Sequence, residues 1–241
     1  MAAILEIAAN SLASALAAQR GGADRIELCA ALEVGGVTPS EGLIAVVREK
    51  VRLPLYVLIR PRAGDFVYSD EEFATMQRDI EHCVTLGCDG VVIGALDAHG
   101  DVDRVRCREL IGAAGRLGVT FHRAFDMARD ASAALEDLVA LGCERVLTSG
   151  GAPNALQGAA TIQALVRQAG HRIRIMPGGG VDANNVATLR TQTDAKEFHA
   201  SARRLLPSRA QVRSGADLGM SGGEWRTDAE QVRAMVTALR G

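Results

Sequence analysis

Aromatic side chains are scarce: Trp, Tyr and Phe together make up 3% of the 241 residues, so stacked rings cannot build the core and Ala, Val, Leu and Ile must fill it. No run of about 18 apolar residues occurs, and the opening Met1-Ala-Ala-Ile-Leu-Glu6 puts no basic residues ahead of apolar ones. Neither a membrane span nor a signal peptide is therefore expected. The chain also lacks a Lys/Arg block of the kind that tracks a phosphate backbone, and its formal net charge is -2, which argues against nucleic acid as a partner. Cysteine is limited to positions 29, 83, 88, 107 and 143, an odd set with no C-x-x-C pair. That excludes a disulfide framework and a cysteine-paired zinc site, and fits reduced thiols in a cytoplasmic protein.

What is present is a repeat. The steps Gly21-Gly-Ala-Asp-Arg-Ile26, Leu86-Gly-Cys-Asp-Gly-Val91, Leu117-Gly-Val-Thr120 and Leu141-Gly-Cys-Glu-Arg-Val146 each end a helical segment at Gly and turn at once into an apolar strand. Runs of apolar and β-branched residues predict eight strands, near 3–8, 25–30, 54–60, 90–96, 119–124, 145–149, 172–177 and 195–200. Capping boxes at Thr38-Pro39-Ser40-Glu41, Ser69-x-x-Glu72 and Thr227-x-x-Glu230 predict helix starts, the first with Pro39 as first helical residue. Helical spacing of Phe73, Met76, Ile80 and Val84, and of Val232, Met235, Val236 and Leu239, marks the faces that pack inward. A strand followed by a helix eight times in 241 residues predicts an α/β fold, a single (β/α)₈ barrel spanning 1–241, over the doubly wound open sheet that the same string allows. Residues 202–226, rich in Arg, Ser and Gly, form a long connection read as a lid, a partner surface or a mobile insertion.

In such barrels function gathers at the C-terminal ends of the strands. The polar residues there are Glu6, Glu27 and Cys29, Arg60 with Arg62 and Asp65, Asp97, then His122, Arg123 and Asp126, Ser149, Gly178-Gly179-Gly180, and His199 with Ser201. His122 and His199 sit among apolar neighbours, where an imidazole needs a partner or a task; His82, His99 and His171 read as structural or solvated. Cys83, Cys88, Cys107 and Cys143 fall in helices or at the opposite face and read as packing residues, leaving Cys29 as the candidate metal thiol. Glu6, Glu27, Asp97 and Asp126 with the two histidines and Arg60 can serve acid–base chemistry, or the carboxylates can neutralise the arginines in a structural network. Arg62, Arg123, Ser149 and the glycines 178–180 are candidate anion-binding groups.

Seven ordered runs carry a family resemblance: Arg25-Ile-Glu-Leu-Cys29, Gly35-Gly-Val-Thr-Pro-Ser40, Arg60-Pro-Arg-Ala-Gly-Asp-Phe66 with Tyr68-Ser69, Thr120-Phe-His-Arg-Ala-Phe-Asp126, Leu147-Thr-Ser-Gly-Gly151, Met176-Pro-Gly-Gly-Gly-Val181 and Glu197-Phe-His-Ala-Ser201. In these the chain resembles CutC proteins from end to end, departing from the usual pattern at Ala63 and Ala200. The resemblance implies a TIM-like barrel in the cytoplasm, a homo-oligomer, with a role in copper homeostasis through copper binding. Cu(I) prefers soft thiolate and thioether ligands, for which the mouth offers Cys29 and Met176. The other expectation is a barrel enzyme, a lyase, isomerase or hydrolase, acting on a small anionic or phosphorylated substrate.

Overall fold

Eight parallel strands arise where the apolar runs were found, in a computed structural model that describes residues 3–210 and 223–241. They are β1 (Ile4–Ala9), β2 (Arg25–Leu28), β3 (Leu55–Leu58), β4 (Gly90–Ile93), β5 (Gly118–Phe121), β6 (Arg145–Thr148), β7 (Arg174–Pro177) and β8 (Glu197–Ala200). Around them lie α1 (Leu12–Gly21), α2 (Glu41–Lys50), α3 (Asp70–Thr85), α4 (Arg104–Ala114), α5 (Ala131–Leu141), α6 (Ala159–Ala169), α7 (Val186–Thr193) and α8 (Ala229–Arg240). The sheet runs β7-β6-β5-β4-β3-β2-β1-β8, and β8 then lies beside β7, so the strands form a nearly closed (β/α)₈ barrel. Gly22 and Gly142 end α1 and α5 in the left-handed conformation, as the repeat implies; the Leu117-Gly118 step differs, because α4 already stops at Gly115 and Gly118 opens β5.

Two helix starts also differ from expectation. Ser40, not Thr38, caps α2 by accepting from Leu43 N, which leaves Pro39 ahead of the helix. Asp228 caps α8, because the Thr227 hydroxyl bonds to the carbonyls of Ala8 and Ser201 instead. The box at Ser69 forms in full. On α3 the buried face is Met76, Ile80 and Cys83, while Val84 is exposed. All five cysteines are free and buried.

Period-two alternation sends every other strand residue outward to an apolar layer beneath the helices, such as Leu5, Ile7, Ile26, Val57, Val91, Phe121, Val146 and Phe198. The inward set is charged at its lower end. Arg25 donates from Nε to Glu6 and from a terminal nitrogen to Glu197 Oε2 at 2.6 Å; Arg145 donates to the same Glu197 oxygen at 2.9 Å and to Thr120 Oγ1 at 3.0 Å. The two guanidinium carbons stand 5.3 and 4.9 Å from the Tyr56 ring centroid, and the Tyr56 hydroxyl donates to Glu144 Oε1 at 2.6 Å. Two arginines and two glutamates thus plug the barrel as a neutral, hydrogen-bonded set.

The ring of Tyr56 fits only because its neighbour in β4 is Gly90: a Cβ there would stand 2.1 Å from Tyr56 Cε1. Gly90→Ala is expected to cost about 1–3 kcal/mol through overpacking, read as a lower urea midpoint at unchanged slope.

Residues 202–226 are less irregular than expected. β9 (Arg203–Pro207) and β10 (Gly223–Thr227) pair antiparallel, with Arg203 over the Trp225 ring. Residues 211–222, on which the lid or partner-surface expectation partly falls, lie outside the described residues. Among the described residues no helix is long and apolar enough to cross a membrane.

Candidate functional site

At the C-terminal ends of the strands lies a cavity of about 310 Å³. Leu32, Val34, Leu58, Phe66, Met127 and Leu147 give it apolar walls, and its polar groups come from Glu27, Arg60, His122, Arg123, Asp126 and His199. The site grows directly out of the charged plug. In the parallel register Glu6 of β1 stands opposite Arg25 of β2 on one side and His199 of β8 on the other. One Glu6 oxygen therefore takes Arg25, and the other takes His199 Nδ1 at 2.8 Å. Glu27, one step further up β2, places Oε2 3.6 Å from that same His199 nitrogen, and among the described residues this oxygen has no other partner.

These neighbours set the protonation of the three groups. Burial alone would raise the Glu6 carboxyl, but Arg25, then His199 and Arg145, hold it well below the usual range, so it stays ionised. Burial pushes Glu27 up to about 7; His199 and Arg25 oppose that rise and Glu6 adds to it. Burial works against the charged form of His199, yet Glu27 and Glu6 outweigh it and the net displacement is upward. With Arg25 and Arg145 balancing Glu6 and Glu197, Glu27 and His199 are left to share a proton near neutral pH.

His122 is the opposite case. Directly after β5 it caps the 3₁₀ turn Arg123–Met127, and its Nδ1 accepts from Ala124 N at 3.0 Å. The ring therefore carries its proton on Nε2, which is buried and has no partner among the described residues. Burial, and after it the nearby Arg60 cation, push the imidazole down to about 3, so it is a neutral donor across the ordinary pH range. Its ring sits 5.0 Å from that of Phe66 and over Gly94, where a Cβ would come within 2.2 Å of it.

Arg60 is 6% exposed and ties two loops together: it donates to the carbonyls of Val34 and Gly36 at 3.0 and 2.8 Å and of Gly64 at 2.9 Å, while Nε is left without a partner. Asp126 lines the cavity but is already committed. Its carboxylate accepts from Arg123 Nε at 2.7 Å, from the backbone N–H of Ser149 at 3.0 Å and of Gly151 at 3.1 Å, and from the Thr148 hydroxyl. Ser149 Oγ in turn accepts from Arg123 at 2.8 Å.

Two expected site residues are elsewhere. Asp97 lies past the end of β4 in an exposed turn, where Oδ1 accepts from His99 N and Asp101 N at 2.8 and 3.0 Å; the chain between Ile93 and Asp97 has already left the mouth. Arg62 turns outward and is held by Glu72 and Asp65 at the start of α3. Gly178 donates its N–H to Thr148 O, and a Cβ there would meet Leu147, so it serves packing; Gly179 borders Arg123, and Gly180 is exposed. Cys29 is buried with Sγ against Ala9 O at 3.7 Å; burial, then Glu27 and Glu33, push its thiol well above the usual range. Met176 Sδ accepts from Arg25. Arg25, Arg145, Glu197 and Tyr56 were missed as parts of the site. Their signal is the period-two spacing of Arg25 with Glu27 and of Glu197 with His199, which puts each pair on one face of its strand.

The family model described as CutC family matches residues 3–204. A CutC family protein of Xanthomonas axonopodis pv. citri (strain 306) is 60% identical over 240 residues, covering 98% of each chain. The solved structure of CutC from Streptococcus agalactiae, described as a candidate copper homeostasis protein, is 35% identical with a TM-score of 0.79, over 82% of this chain and 97% of that one. Thiamine phosphate pyrophosphorylase of Pyrococcus furiosus, 12% identical over 98% of this chain and 95% of its own at a TM-score of 0.61, shares the fold alone.

Proposed function

The chain belongs to the CutC family, and within it we propose that the mouth of this barrel binds a small anionic carbonyl compound and moves a proton at the carbon next to the carbonyl, as an isomerase or lyase does. One observation carries this reading: Glu27, Arg60 and His122 line a single cavity, and among the described residues nothing partners the buried Glu27 Oε2 and His122 Nε2. Such orphans are costly in a folded protein unless a ligand completes them. Glu27, poised near 7, is matched to take a proton at neutral pH. The neutral His122 donates from Nε2 to the carbonyl oxygen as it gains negative charge, a role suited to an imidazole that cannot itself become charged there. His199, braced by Glu6, stores and returns the proton.

Copper as cargo is less well served by these residues. A soft Cu(I) ion calls for thiolate or thioether, but Cys29 is buried as a thiol behind Leu32 and Leu58 of the cavity wall and Met176 is engaged by Arg25. The donors that converge among the described residues, Glu6, Glu27 and His199, bring ligand atoms within 4.8 Å of one another; they are two hard carboxylates and one borderline imidazole with no soft ligand, and Glu6 is already bound by Arg25.

The test is hydrogen exchange by NMR in D₂O with a panel of small 2-oxo and 3-oxo carboxylates, run alongside Cu(I) and Zn(II) titration of the metal-stripped protein. We expect C–H exchange with at least one compound, reduced about a hundredfold or more in Glu27→Gln. Tight stoichiometric Cu(I) binding with no exchange on any compound would overturn the reading.

A further inference from the structure

We propose that Asp126 is a built-in anion that fills the backbone-amide nest of the β6–α6 loop, so that this side of the mouth rejects phosphate. The inference takes from the proposed function only the identity of the cavity. The nest has the parts that hold phosphate elsewhere: two backbone N–H groups, from Ser149 and Gly151, a hydroxyl from Thr148, and the Arg123 guanidinium. Gly150 and Gly151 both have positive φ, which turns the amides of the loop toward one point. At that point sits the carboxylate of Asp126, brought there by the 3₁₀ turn Arg123–Met127 with its side chain 8% exposed.

Two consequences follow from charge and from geometry. Arg123 is neutralised, so a phosphate dianion approaching the nest meets a carboxylate instead of a free cation. The two amides, the Thr148 hydroxyl and Arg123 Nε are also occupied, so an incoming oxyanion gains none of these hydrogen bonds unless Asp126 leaves. A carboxylate that docks elsewhere in the cavity, toward Arg60 and His122, meets a cation that among the described residues carries no carboxylate of its own, because Arg60 is held by backbone carbonyls. Asp126 is thus a specificity-determining residue and takes no part in moving the proton.

The experiment is titration with inorganic phosphate, followed by ³¹P line broadening and by thermal shift, on the full chain and on Asp126→Gly, Asp126→Ser and Asp126→Gly/Arg123→Ala. Circular dichroism checks folding of each. We expect no saturable phosphate binding in the unaltered protein, and saturable binding in Asp126→Gly and Asp126→Ser at least about tenfold tighter, the worth of one charge-assisted hydrogen bond. Adding Arg123→Ala should abolish the gain. The proposal is overturned if the unaltered protein binds phosphate as tightly as the variants, or if either folded variant gains no affinity. Phosphate gain without any C–H exchange in the unaltered protein would sink the proposed reaction and leave this inference standing.

Discussion

Arg25→Ala is expected to destabilise the protein by about 3–5 kcal/mol, the cost of removing one partner from a buried ion pair. The reason is that Arg25 serves two buried carboxylates, Glu6, which is 0% exposed, and Glu197, which is 6% exposed. Without it Glu197 keeps Arg145, and Glu6 keeps only His199 and the field of Arg145. For a chain of this length the loss corresponds to a fall in Tm of roughly 6–20 °C. The pH dependence supplies a second check. In the unaltered protein Glu6 is held well below its ordinary value of 4.5, so its contribution is present above 4.5 and lost as pH falls through the depressed value. In Arg25→Ala the largest pull on Glu6 is gone and His199 and Arg145 alone oppose its burial, so the Glu6 carboxyl rises and the stability gap between the two proteins, read from their urea midpoints, should narrow as pH falls below about 4.5. A loss under about 1 kcal/mol with no such narrowing would mean that water, not Arg25, compensates the Glu6 carboxylate.

That network shows where the sequence could be read and where it could not. The strands were legible because helix stops at Gly and apolar runs alternate down the chain, and because a parallel sheet buried on both faces has no other way to be written. Their ends were not: the expected strand 90–96 stops at Ile93, and the extra residues carry Asp97 out of the mouth. Glu6, Glu27, His122 and His199 come together because strand ends converge in any closed barrel, whatever the partners. What each does there depends on register across strands, which a single sequence does not reveal: Glu6 meets Arg25 and His199 only because β1 pairs with both β2 and β8. Asp126 is the sharpest instance. In sequence it is one more carboxylate near a histidine, and its capture by the Ser149–Gly151 loop requires contacts across 22 to 25 positions. The stretch 202–226 failed for a plainer reason: β9 and β10 carry Arg203, Arg204, Glu224 and Arg226 and pair with each other outside the barrel sheet, so they lack the apolar signal that marks barrel strands.

The second large effect belongs to His122. Its value of about 3 in the fold against 6.5 outside it means that the folded state resists protonation. Stability from this residue is present above pH 6.5 and lost as pH falls through about 3, at about 1.4 kcal/mol per unit and so about 5 kcal/mol in all. Glu27 runs the other way: its value of about 7 exceeds 4.5, so its contribution is present below 4.5 and lost as pH rises through about 7. The two slopes partly cancel in the unaltered protein, which is why a single acid titration cannot isolate either. His122→Asn separates them. Asparagine still offers an oxygen to Ala124 N, does not titrate, and leaves Glu27 alone, since His122 is not among the groups that shift it. The variant should be less stable at pH 7, having lost the ring that packs on Phe66. Between pH 7 and 4.5, however, it should lose about 3 kcal/mol less than the unaltered protein, measured as the difference between their urea-derived stabilities. Equal losses would mean that the imidazole protonates freely in the fold. A charged His122 would then donate to a ground-state carboxylate as readily as to a developing oxyanion, and the preference for the transition state on which the proposed reaction depends would be gone.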